Sequence, residues 1–133
     1  MELGTFGAIL RFAMELEEQA GRFYREAGQG ELEGTFDGRA QSARKRLRRL
    51  ERARREMVSE MLLESISDLD SDDYTVVLDA GAGQGELLRR ARYLEATCAR
   101  FYRDAAAKMP IREVVRLFER LARENEQRLT EHR

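Results

Sequence analysis

A nine-residue stretch, Glu17-Glu18-Gln19-Ala20-Gly21-Arg22-Phe23-Tyr24-Arg25, returns seventy-eight positions later as Glu95-Ala96-Thr97-Cys98-Ala99-Arg100-Phe101-Tyr102-Arg103. This duplication restricts the fold more than any other feature, because the chain must bury the same helical face twice. In each copy a glutamate precedes a tyrosine by seven residues, two helical turns, so both project from one side of a helix. The apolar residues share that side. A carboxylate on a core-facing stripe is costly unless something neutralises it, so Glu17 and Glu95 each require a partner in the interior.

The apolar spacing around the repeats predicts four helices, at about 5–27, 35–65, 84–107 and 110–131. Phe6, Ile9, Ala13, Leu16, Ala20, Phe23 and Ala27 alternate three and four apart behind Thr5, a suitable N-cap. Glycines 28, 30 and 34 end this helix. Thr35 is then placed to cap a second, whose stripe reads Phe36, Ala40, Ala43, Leu47, Leu50 and, beyond Arg54, Met57 and Met61. Gly34 and Gly38 make its first turns the weakest helical region. Residues 67–83 break the pattern and form the long connection. Leu87, Ala91, Leu94, Cys98, Phe101 and Ala105 mark the third helix, and Pro110 suits the first turn of the fourth, where Ile111, Val114, Phe118, Leu121, Asn125 and Arg128 repeat the alternation. Two helical hairpins joined by a crossover, forming one antiparallel four-helix domain over 1–133, is the all-α architecture that results.

The second and fourth helices are also related. Phe36-Asp37-Gly38-Arg39-Ala40-Gln41-Ser42-Ala43-Arg44-Lys45-Arg46 reads F-x-x-R-A-x-x-A-x-x-R, and Phe118-Glu119-Arg120-Leu121-Ala122-Arg123-Glu124-Asn125-Glu126-Gln127-Arg128 reads F-x-x-L-A-x-x-N-x-x-R. Helices with E-x-x-[AG]-x-x-F-Y, each followed by one with L-A-x-x-E-x-x-H, make the chain resemble the rubrerythrin branch of the ferritin-like superfamily over nearly its whole length. The resemblance implies a bundle whose lone glutamates, here Glu17 and Glu95, share a di-iron centre with a Glu and a His from each partner helix. Those four positions fall on Ala43, Arg46, Asn125 and Arg128. Alanine offers no ligand and arginine no lone pair, so the resemblance supports the fold and opposes the chemistry. The expectation is an ionic cluster in place of the metals: Glu17 and Glu95 pair with Arg46 and Arg128, while Asn125, Tyr24 and Tyr102 supply hydrogen bonds. Such a protein needs no cofactor and serves a structural, assembly or binding role, in a homodimer or with an unidentified protein partner. The alternative is a degenerate metal-binding protein that holds iron or manganese through Glu17 and Glu95 and retains peroxide or iron redox activity.

Remaining signals are weaker. Val77-Leu78-Asp79-Ala80-Gly81-Ala82-Gly83-Gln84-Gly85 resembles the glycine-rich first motif of S-adenosylmethionine-dependent methyltransferases, but nothing after it reads as a strand. Eight of the twelve residues from Arg44 to Arg55 are basic. Acidic residues follow at 64–73 and no aromatic interleaves, so a solvated helix laced with ion pairs is expected rather than a nucleic-acid surface. Net charge is −1, which points to neither polyanions nor membranes. Without a signal-like N-terminus or an apolar run long enough to span a bilayer, the expected location is cytoplasmic. Cys98, on the apolar stripe, reads as packing, and His132 as a frayed terminal residue.

Overall fold

Thr5 starts the first helix. Its backbone is extended (φ −136°, ψ 159°) and its side chain accepts the amide of Ala8 at 3.0 Å, satisfying a donor that the helix leaves free. In the computed structural model, which describes residues 1–56 and 65–131, α1 runs Phe6–Ala27, α2 Glu33–Glu56, α3 Gln84–Ala106 and α4 Arg112–Thr130. All four are amphipathic, and among the described residues the only β pairing is an isolated bridge between Glu2 and Asp70.

The first turn is tighter than the glycine pattern predicts. Gly28 ends α1 by donating its amide to Tyr24 O at 3.0 Å, and a side chain there would stand 2.8 Å from that oxygen and 3.0 Å from the Phe36 Cβ. Gly30 takes φ +59°, open to glycine at little cost. A 3-10 turn over Gly30–Leu32 then leads directly into α2, so Gly34 and Thr35 lie inside the helix and Thr35 does not cap it. Pro110 likewise precedes the fourth helix, with Ile111 as the extended N-cap. Met57, Met61 and His132 lie outside the described residues.

Contacts fix the helix directions. Tyr24 packs on Phe36 (5.0 Å between ring centroids) while Glu17 meets Arg46, so α1 and α2 are antiparallel. Arg92 reaches Leu129 O and Tyr102 packs on Phe118, so α3 and α4 are too. Between hairpins, Tyr24 bonds Glu95 and Tyr102 bonds Glu17, which sets α1 against α3. Ser42 with Arg128 and Arg49 with Glu124 set α2 against α4. Thus α2 and α3 run the same way, and the link between them must travel from one end of the helices to the other.

Its described part does so beside α1. Leu3 N donates to Leu69 O and Ile66 N to Gly4 O, Tyr74 packs against Phe12 and Phe101, Val76 and Leu78 lie over Gln19 and Phe23, and Ala80–Ala82 face Ala27. Tyr74 ties this strap to α3 through a hydrogen bond to Asp104, and Arg100 stacks over its ring at 4.7 Å. The glycine-rich stretch forms no strand; Asp79 Oδ1 accepts the Gly81 amide and Gly83 caps α3.

Phe101 is fully buried and touches Phe12, Tyr74, Tyr102 and Phe118, joining both hairpins and the strap. Phe101→Ala is expected to lower unfolding free energy by about 3–5 kcal/mol, read from urea denaturation.

Candidate functional site

The alternation that buries Leu16, Ala20 and Phe23 on α1 carries Glu17 and Tyr24 into the same interior, and α3 does the same with Leu94, Glu95, Cys98 and Tyr102. Because the two helices are antiparallel, the level of Glu17 is the level of Tyr102, and that of Tyr24 is that of Glu95. Each tyrosine therefore donates across to the other copy's glutamate. Tyr24 Oη lies 2.5 Å from Glu95 Oε1, and Tyr102 Oη 2.5 Å from Glu17 Oε2.

Arg46 closes on Glu17 from within the first hairpin. Its Nε is 3.0 Å from Oε1 and 3.1 Å from Oε2, with both side chains at most 2% exposed. Its guanidinium extends toward Glu124 of α4 at 3.7 Å, where Arg49 makes a closer pair at 2.7 Å. Burial works against the Arg46 charge, but Glu17, Glu95 and Tyr102 outweigh it, and its pKa is raised.

At the opposite carboxylate the expected partner is replaced. Arg128 does not reach Glu95; it bonds Ser42 Oγ at 2.6 Å and turns toward Glu131 near the surface. The cation beside Glu95 is Arg39, 1% exposed, with Nη1 at 4.0 Å from Oε1 and its guanidinium carbon 5.8 Å from the Tyr24 ring centroid. The reason is level: α2 descends past α1, so the residue seven before Arg46 stands beside Tyr24, whose hydroxyl holds Glu95. Arg128, near the end of α4, is level with Ser42, one turn nearer the α2 N-terminus than Arg46. Asn125 is buried but donates to Leu121 O at 2.9 Å on its own helix.

Arg39 was hidden in the pattern by its neighbour Ala40. Read as Phe36, Arg39, Ala43, Arg46 and Leu50, the three-four alternation passes through both arginines, and all five residues are buried. Leu47, expected inward, is only partly buried. Arg39 stands where the fourth helix has Leu121.

The two halves are unequally satisfied. Both Glu17 oxygens are bonded, whereas Glu95 Oε2, Arg39 Nε and Nη1, and Arg46 Nη1 have no hydrogen-bond partner among the described residues. Burial accordingly raises the Glu95 pKa against the opposing pull of Arg46, Tyr24 and Arg39. Tyr24 and Tyr102 are raised well above the phenol range, first by burial and then by the facing carboxylates, so both stay protonated as donors. Burial also raises the Cys98 thiol, leaving it without thiolate character.

These residues do not fit a pair of iron or manganese ions. Arg46 Nε lies against both Glu17 oxygens, Asn125 spends its amide on the backbone, and Ala43 brings no donor atom. Among the described residues no group of three His, Cys, Asp or Glu side chains could hold a metal. Compared with known proteins, the chain matches no family model, no curated protein and no solved structure.

Two outcomes are expected. Arg46→Met strands a buried carboxylate and lowers stability by about 3–5 kcal/mol, while adding Glu17→Gln recovers much of that loss, as measured by a double-mutant cycle. For Glu95 the folded pKa is raised, so its contribution is complete below the ordinary value of 4.5 and is lost as pH rises through the folded value. Wild-type melting temperature should therefore fall relative to Glu95→Gln as pH rises from about 4 to 7, by differential scanning calorimetry.

Proposed function

We propose that the protein is a non-catalytic relative of the rubrerythrin branch of ferritin-like proteins, in which an ionic cluster stands where the family holds its metals. Glu17, Glu95, Arg39 and Arg46 balance two carboxylates against two guanidiniums, and Tyr24 and Tyr102 tie the halves together. The carrying observation is the crossed pair of tyrosine-to-glutamate bonds at the positions that match the family's lone ligands. The strap running along α1 between two like-directed helices is the connection a ferritin-like bundle requires. Its role is structural or binding, in a cytoplasmic homodimer. Tyr93 and Val77, 55% and 75% exposed, offer apolar surface for such a pair.

The test is to return the family's pattern. A variant with Ala43→Glu, Arg46→His, Asn125→Glu, Arg128→His and Arg39→Leu is expected to fold and take up about two irons per chain, seen by metal analysis and the visible spectrum. Wild-type protein grown with iron and manganese should carry far less than one. A folded, metal-free restored variant, or near-stoichiometric metal in the wild type, would reject the reading.

A further inference from the structure

The first hairpin carries a charge arrangement that the second resolves and it does not. In the second copy Arg103 of α3 pairs with Glu126 of α4, Nη2 to Oε1 at 2.7 Å and Nε to Oε2 at 3.2 Å. Arg100 donates to Asp73 O at 2.7 Å and lies over Tyr74. Both arginines are engaged. Seventy-eight residues earlier the counterparts of Arg100 and Arg103 are Arg22 and Arg25. The counterpart of Glu126, by the shift of eighty-two that aligns Phe36 with Phe118, is Arg44. A carboxylate in one hairpin has become a third guanidinium in the other.

Arg22, Arg25 and Arg44 line one cleft of about 250 Å³ between α1 and α2, together with Glu17, Glu18, Gly21 and Leu47. None of the three arginines makes an ion pair within 4.0 Å among the described residues. Glu18 lies at the same cleft without pairing with any of them, and both Glu17 oxygens are already taken by Arg46 and Tyr102. Of the acidic residues expected as a source of ion pairs, Asp70 and Asp72 hold the Met1 amino group, and Asp68 lies by Lys108. Gly21 shapes the cleft. A Cβ there would stand 3.1 Å from Arg25 Nη1, so the guanidinium folds back over a position where the second copy has Ala99.

We infer that this cleft is an anion site, in which a small oxyanion of the phosphate class sits among Arg22, Arg25 and Arg44 and supplies the negative charge that Glu126 supplies in the second hairpin. Guanidiniums that share a cleft repel one another, and a tetrahedral anion offers several acceptor oxygens to more than one guanidinium fork. Arg22, Arg25 and Arg44 are exposed to solvent, and the cleft shares only Glu17 with the buried cluster.

Thermal unfolding in inorganic phosphate against sodium chloride of equal ionic strength tests this, with phosphate-induced shifts of the Gly21 amide resonance as a second readout. Wild-type protein should show a saturable rise in melting temperature and a perturbed Gly21 amide. Arg44→Glu should be more stable than wild type without phosphate, by forming the Arg25 pair, and should lose phosphate affinity roughly tenfold or more. Arg48→Glu, which removes an equal charge from the exposed face of the same helix outside the cleft, should keep the response. A phosphate effect no larger than that of chloride, or equal loss of the response in both variants, would overturn the assignment.

Discussion

Two carboxylates sit in the middle of a helical core, and the arrangement around them follows from the need to give them partners there. A bare carboxylate in such a place would be neutralised or would disrupt packing. Here the neutralising cations come from one helix, α2, whose Arg39 and Arg46 are spaced by two turns to match the two levels of the core. Hydrogen bonds come from two phenols whose own ionisation is suppressed by the same burial. The charges are equal in number, yet their geometry is not: Arg46 grips Glu17 closely, while Arg39 stands off from Glu95. At Glu95 the looser contact leaves burial the largest influence, and its pKa is raised.

Much of the helical frame was legible in the residues. The alternation of three and four located α1 and α3 to within a residue at each end, because uninterrupted periodicity and Thr5 leave few alternatives. The start of α2 was harder. Glycine was read as a stop at position 34, but the turn was already complete at Gly28 and Gly30, and a helix packed against a neighbour tolerates glycine within it. The inward face of α2 was blurred for a related reason. Its pattern offers an alanine or leucine beside each arginine, and apolar character alone favours Ala40 and Leu47 over Arg39 and Arg46. Ala40 is buried as expected, and that Arg39 joins it inside depends on where Glu95 lies across the bundle, a distance that no local pattern contains. Arg128 illustrates the converse: its equivalence to Arg46 in the repeat suggested an equal partner, but position along α4 places it near the surface with Ser42 and Glu131.

The duplicated pattern also shows how the halves have diverged in kind. Outside the core the second hairpin pairs its arginines with a carboxylate, a carbonyl and an aromatic ring, whereas the first lines a cleft with guanidiniums. Inside, the first hairpin holds both cations and the second holds neither. Positive charge has gathered on α2, with Arg39 and Arg46 at the centre and Arg44 at the cleft, while net charge over the chain is nearly balanced.

Glu17 finds its cation within its own hairpin, whereas Glu95 draws both Tyr24 and Arg39 from the other. The dependence between the hairpins is therefore directional. A chain emerging from the ribosome completes α1 and α2 first, and that pair can neutralise its buried acid before α3 exists. The later pair has no such independence: its carboxylate becomes tolerable only on docking to a surface already made. Order of synthesis and order of electrostatic need coincide, with the earlier hairpin serving as the template on which the later one is assembled.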